Sequence, residues 1–399
     1  MPPRYLALPA IALTVAFAVG EVAVRVVGTT DDHGQFSVRG HPIPPYGVRT
    51  GALLASVARF ADSDQSARAG YHPELGWAPR AGHRGGLYAY NRDGIRADVE
   101  YDRTPQPGVL RIATFGDSFT HGDEVRNSET WPHALEMALL SRGVRAEVLN
   151  FAMSGFGMDQ ALLRWQIEGR RFEPDIVVFG LNPENMARNI NVFRPALYPA
   201  TELPLTKPRF VLAGGRLKLV NSPTVALAEL PALVRDFRSH PLRRHEGHAF
   251  RLADERWWHR SRLASLVEAR VAGPAKRRRV QSEQFRVTAA LLRRFGSAIE
   301  RAGSRFVVVR ILPRSHLAQF QRGRRPYYRP LLDALARKHP SIETAPVFED
   351  AAQDHWAPKG HFSAAANRRV GELVAERLVE CIATGRCRPH RKNWGQAPF

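Results

Sequence analysis

From residue 109 onward the sequence alternates short runs of Val, Ile and Phe with longer stretches of helical spacing. The strand-like runs are VLRIATFG (109–116), AEVLNFA (146–152), PDIVVFGLN (174–182) and SRFVVVRILP (304–313). The helix-like stretches are SETWPHALEMALLSRG, closed by Gly143, then MDQALLRWQIEGRR and SEQFRVTAALLRRFGSAIERAG. A short helix from Pro330 to about Lys338 and a final one over SAAANRRVGELVAERLVECI follow. Strands that are apolar without alternation are buried on both faces, and intervening helices make them parallel. The expected core is therefore an α/β domain built on a parallel sheet.

Residues 191–281 interrupt this rhythm. They hold an expected hairpin, RFVLAGGRLKLV, with Gly214-Gly215 at its turn, and a basic stretch with Trp257 and Trp258, which are expected to pack inside it. The segment reads as an insertion. Residues 29–108 read as a linker with a short helix at GALLASVARF, then a small β element over 71–96, rich in glycine and aromatics. Residues 381–399 read as a tail.

The chain of 399 residues is 44% hydrophobic, enough to bury one large core or two modest ones. Its 58 Lys and Arg against 38 Asp and Glu give a net charge of +20 and a potential that attracts anions. That charge is not gathered with aromatics on one element, as a nucleic-acid binder requires. The densest run, KRRR (276–279), reads as a loop beside Ala-Gly-Pro, and no nucleic-acid partner is expected.

Residues 5–20 carry no charge, and apolar character continues past Glu21 and Arg25 to Val27. A helix from about residue 5 to 27 is long enough to cross a bilayer. Arg4 ahead of it would keep the short N-terminus inside and export the rest. Residues 1–28 are thus read as a single-pass anchor, with a signal peptide cleaved near Ala16–Ala18 and a buried helix as the competing readings. Cys381 and Cys387, the two cysteines, have a spacing that could close a small disulfide loop outside the cytoplasm, and two unpaired thiols remain open as an alternative. Neither has neighbours with metal-ligand spacing, so no metal or other cofactor is expected.

Four loops carry the chemistry. GDSFT places Ser118 just past the first main strand, at the start of a helical turn, where unpaired backbone N–H groups can stabilise an oxyanion. Gly116 permits the tight turn. NFAMSGFG places Gly155 after the second strand, GLN places Asn182 after the third, and QDHWAPKGH places His355 before the last helix. A parallel sheet gathers such loops at the carboxyl ends of its strands. His121, close to Ser118, reads as a pocket-wall or surface residue.

In these four blocks the chain resembles the SGNH (GDSL) hydrolases, over roughly residues 109–190 and 282–380. With LGWAPRAG and NRDGIR it resembles their membrane-anchored bacterial branch. The resemblance implies a flavodoxin-like three-layer α/β/α domain acting as a serine esterase through an acyl-enzyme. Ser118 would be the nucleophile and His355 the base, with the N–H groups of Ser118 and Gly155 and the amide of Asn182 as the oxyanion hole. The family's Asn-Asp is here Asn182-Pro183, with Asn185 as a fallback. The family's acid two or three residues before the histidine is replaced by Gln353 or Ala352. Asp354 is read as the orienting acid, with Asp350, or a Ser–His dyad, as alternatives. The substrate implied is an acylated carbohydrate or envelope component, acted on outside the cytoplasm. An O-acyltransferase with the same site and a non-catalytic polysaccharide-assembly scaffold are the other readings.

Overall fold

The computed structural model describes residues 4–31, 35–46, 50–62, 68–199, 201–252, 256–349 and 353–387. The chain divides into two compact units. One comprises Met1–Asp62, Asn191–Thr206 and Val225–Glu283; the other comprises Ser63–Ile190, Lys207–Thr224 and Gln284–Phe399.

The second unit is built on five parallel strands: β1 Leu110–Phe115, β2 Ala146–Asn150, β3 Ile176–Leu181, β4 Arg305–Arg310 and β5 Ser341–Glu343. Their order across the sheet is β2-β1-β3-β4-β5. Register follows burial: Ile112 lies beside Ile176 and Val177 beside Phe306, and every residue of β1 and β3 is buried. Both are interior strands of the sheet, and their lack of polar alternation is what two covered faces require. The three-residue edge strand β5 was not anticipated from the sequence.

Helices cover both faces. On one, α1 Ser118–His121 leads to α2 Trp131–Leu140, which packs on the final helix α3 Ala364–Ala383. Trp131, Leu135, Val370 and Val374 are all within one core with β1 and β4. Each fully buried side chain of this size contributes about 1.5–3 kcal/mol. The two helices touch closely at Gly371, where an added Cβ would lie 2.7 Å from Trp131 O. On the other face the core is aromatic: Phe115 stacks on Phe151 at 5.1 Å and meets Phe295 edge-on at 6.1 Å.

The expected hairpin forms as Arg209–Ala213 against Arg216–Val220, with positive φ at Gly214 and Gly215, but it belongs to the sheet unit and not to the insertion. The small β element forms two antiparallel pairs, Ala69–His72 with Gly76–Pro79 and Arg84–Gly85 with Tyr88–Ala89. Cys381 and Cys387 are joined in a disulfide. The KRRR run is not a loop. It lies within one helix, Arg262–Arg301, because Ala, Lys and Arg on either side of Pro274 are strong helix formers.

In the first unit a helix spans Arg4–Val27. Its last turns are protein-packed: Val24 shares a small core with Phe36 and Ile43, and Glu21 accepts hydrogen bonds from Ser261 Oγ (2.8 Å), Arg262 N (3.0 Å) and Leu263 N (2.8 Å). Glu21 thus caps the start of the Arg262–Arg301 helix. The uncharged stretch ahead of it, residues 5–20, reaches about 24 Å as a helix, short of the ~30 Å hydrocarbon core. Among the described residues no helix is long and apolar enough to cross a membrane. Trp258 packs as expected and donates to Glu268 (3.0 Å), whereas Trp257 stands 79% exposed.

Candidate active site

The segment 116–124, which follows β1, is where the other three loops attach. Asp117 caps α1, accepting from Phe119 N at 3.1 Å, so that Ser118 is the first helical residue and its side chain is set at the carboxyl end of β1. Ser118 is 7% exposed. Gly122 closes the turn in the left-handed region (φ 81) by donating to Ser118 O. A methyl group at Gly116 or at Gly180 would collide with Thr120 Oγ1, which explains glycine at the ends of both β1 and β3.

The loop after β3 is bound through Asp117. Asn182 Nδ2 donates to Asp117 Oδ2 at 2.8 Å and Arg188 Nη1 donates to the same oxygen at 2.7 Å. The amide of Asn182 carries a second N–H that this bond does not use. Its backbone N donates to Asn185 Oδ1 (3.1 Å), and Asn185 Nδ2 donates to Phe156 O (2.9 Å), so Asn185 is a structural brace for Asn182. Proline at 183 is accommodated, Glu184 N donating to Asn182 Oδ1 at 3.1 Å.

The loop after β2 is bound through Asp123. Ser154 Oγ, next to Gly155, lies 2.6 and 2.7 Å from the two Asp123 oxygens, and Ser154 O accepts from Trp77 Nε1 at 3.0 Å. Gly155 itself has φ 75, a conformation in which any side chain is strained. Behind Asp123 stands His121. It is not a surface or pocket-wall group but fully buried, with Nδ1 2.5 Å from Asp123 Oδ1 and Nε2 2.8 Å from the Tyr90 hydroxyl. Burial, and then the neighbouring Arg96 guanidinium, push its pKa down to about 4. As pH falls from about 6.5 to 4 the unfolded chain takes up a proton that the folded one refuses, so this histidine works against stability in that window. Arg96 donates to the carbonyls of Gly122 and Val125, both at 2.6 Å.

The histidine loop is bound through Glu124. Its carboxylate accepts from Lys359 N (2.7 Å) and His361 N (3.3 Å) and contacts His361 Nδ1 (2.7 Å). Ser363 N donates to His355 O at 3.0 Å, closing the loop on itself. Rings continue the attachment: Phe119, the residue after Ser118, packs on Phe362 (4.9 Å), Phe362 on Phe348 (5.2 Å) and Phe348 on His355 (5.3 Å). His355 is 2% exposed. Asp354 is exposed and makes no hydrogen bond or ion pair with another described residue. Asp350 lies outside the described residues.

Sequence reasoning singled out Ser118, Gly155, Asn182 and His355 but missed the groups that hold their loops, Asp123, Glu124, Arg188 and Arg96. The HGDE that follows GDSFT was the available signal, since acidic residues directly after a buried turn need partners. Among the described residues no group of His, Cys, Asp and Glu could hold a metal ion.

No family model and no curated protein matches the sequence. Among solved structures the fold is similar to that of the psychrotrophic esterase EstA of Pseudoalteromonas sp., 10% identical with a TM-score of 0.35, over 69% of this chain and 99% of that one. It is similar in the same degree to Axe2, an acetyl-xylooligosaccharide esterase from Geobacillus Stearmophilus, 10% identical with a TM-score of 0.35, over 68% and 93%. A two-domain esterase active on acetylated mannans matches at 10% identity and a TM-score of 0.33, over 72% of this chain and 53% of that one.

Proposed function

We propose that the protein is a serine esterase that removes a short acyl group, acetyl foremost, from a carbohydrate or cell-envelope substrate by way of an acyl-enzyme. The observation that carries the reading is the attachment of three distant loops, bearing Gly155, Asn182 and His355, to the turn that bears Ser118. In the proposed reaction Ser118 Oγ attacks the ester carbonyl while His355 takes its proton. The N–H groups of Ser118 and Gly155 and the free N–H of Asn182 stabilise the oxyanion. The same proton passes to the departing alkoxide as the C–O bond breaks, and water then cleaves the acyl-enzyme in the reverse roles. The exposure of Asp354 favours Asp350 as the acid that orients His355. A fluorophosphonate probe should label Ser118 stoichiometrically, read by mass spectrometry of the peptide that contains it; an unlabelled serine on intact protein would sink the proposal.

The location we propose is outside the cytoplasm at a membrane surface. Ile11, Leu13, Val15, Phe17 and Val19 on the N-terminal helix are each at least half exposed, which supports attachment there. Full-length protein should sediment with membranes after a high-salt wash and a chain lacking residues 1–20 should not; equal partitioning of the two contradicts attachment.

A further inference from the structure

A cavity of about 360 Å³ lies at the carboxyl ends of β3 and β4, bounded by Leu181 and Pro183, the residues on either side of Asn182. Its volume suits one glycosyl unit. Leu181, Ile311 and Leu331 give it an apolar floor, and Phe320, 46% exposed, presents a ring at its side. Four arginines line it: Arg310, Arg324, Arg325 and Arg329. Two carboxylates answer two of them, Asp333 bonding Arg329 at 2.8 Å and Glu343 lying 2.7 Å from Arg310. The Glu343 contact is off the hydrogen-bonding axis, so that the buried Nε and Nη1 of Arg310 lack a hydrogen bond. Arg324 and Arg325 are exposed on the rim, and their guanidinium groups have no partner among the described residues. His316, the other basic group, bonds the Tyr328 hydroxyl at 2.6 Å, and burial pushes its pKa down, which keeps it neutral.

A surplus of two cations beside an apolar floor and an exposed ring calls for a ligand that has both a carboxylate and a ring face. Arginine forks match carboxylates in pairs of parallel hydrogen bonds. We infer that this cavity is a subsite for a uronate-type sugar neighbouring the acylated unit, with the carboxylate on Arg324 and Arg325 and the ring against Phe320. The inference rests on the esterase reading of Ser118 and deepens it: the ester substrate is an anionic polysaccharide. The net charge of +20 adds to the local concentration of such a polymer.

The test compares full-length protein with an Arg324→Ala/Arg325→Ala variant on acetylated oligogalacturonides and on acetylated xylo-oligosaccharides of the same length. The ratio of kcat/KM for the uronide to that for the neutral sugar should fall about tenfold or more in the variant, through KM. A ratio that does not move overturns the subsite. Binding is read separately by calorimetry with deacetylated oligogalacturonide and Ser118→Ala protein. Salt-sensitive binding that the arginine substitutions abolish supports the subsite even if no ester is turned over; absence of binding overturns it while leaving the esterase reading standing. Inorganic phosphate that displaces the oligomer at lower concentration than galacturonate does would overturn the carboxylate assignment.

Discussion

Ser118→Ala should lower turnover of p-nitrophenyl acetate by about a thousandfold or more, equivalent to about 4 kcal/mol of barrier. The fold should be unaffected, because the helical turn is capped by Asp117 and closed by Gly122, and neither bond uses the serine hydroxyl. A purified variant with a native circular-dichroism spectrum and undiminished rate would rule out Ser118 as nucleophile. The same assay separates the two candidate acids. Asp350→Asn should cost about a hundredfold, as expected when an imidazole loses the group that fixes its tautomer. Asp354→Asn, at an exposed position with no partner among the described residues, should stay within about twofold of the parent. The reverse order would return the orienting role to Asp354, and near-parent rates for both would leave a dyad.

The second large effect concerns stability. Lys207 and Asp159 form an ion pair in which the side chains are 1% and 0% exposed. Asp159 stands at the start of the helix Met158–Ile167 that follows the Gly155 loop, and Lys207 leads into the hairpin. Lys207→Met should destabilise the fold by about 3–5 kcal/mol, since it leaves a carboxylate buried without its partner. Burial already pushes the Asp159 carboxyl up, against the pull of Lys207. Without the lysine it rises further, so the folded state binds a proton that the unfolded chain does not. The variant's deficit should therefore be largest at pH 8 and shrink toward pH 5. Asp159→Asn/Lys207→Met should recover part of the loss. Denaturant titrations at the two pH values check this, and a deficit of the same size at both would mean that the damage is packing and not charge.

What the sequence revealed and concealed follows the strength of the local signal. β1, β3 and β4 are runs of buried residues with no polar alternation, and their parallel order could be inferred from that alone. The strand Ser341–Glu343 could not: three residues at a sheet edge are too few to show a period. The helix through Pro274 was hidden because proline and glycine together are the usual marks of a break, while the backbone context on both sides overrode them. At the site, the motif residues Ser118, Gly155, Asn182 and His355 could be singled out, and the structure fastens the loops that bear the last three to the turn of the first. The residues that hold their loops were not, because Asp123 meets Ser154 and Glu124 meets His361 across long stretches of chain that no local pattern records. The fate of the apolar N-terminal run turned on one residue, Glu21, which pairs with Arg25 one turn on but also binds Ser261, Arg262 and Leu263, about 240 positions away. Its charge read as a tolerable interruption of an anchor, and its actual work is to cap another helix.

The clasp of Glu124 on residues 359–361 has a consequence for timing. The turn that bears Ser118 is made early in synthesis, yet the histidine loop cannot be fastened to it until some 235 further residues have left the ribosome. In the proposed reaction Ser118 would therefore wait, for most of the time the chain is being made, without the base that activates it, and would be no more reactive than any alcohol. The esterase we propose would thus stay inert during its own manufacture, its base arriving only with the loop ahead of the last helix.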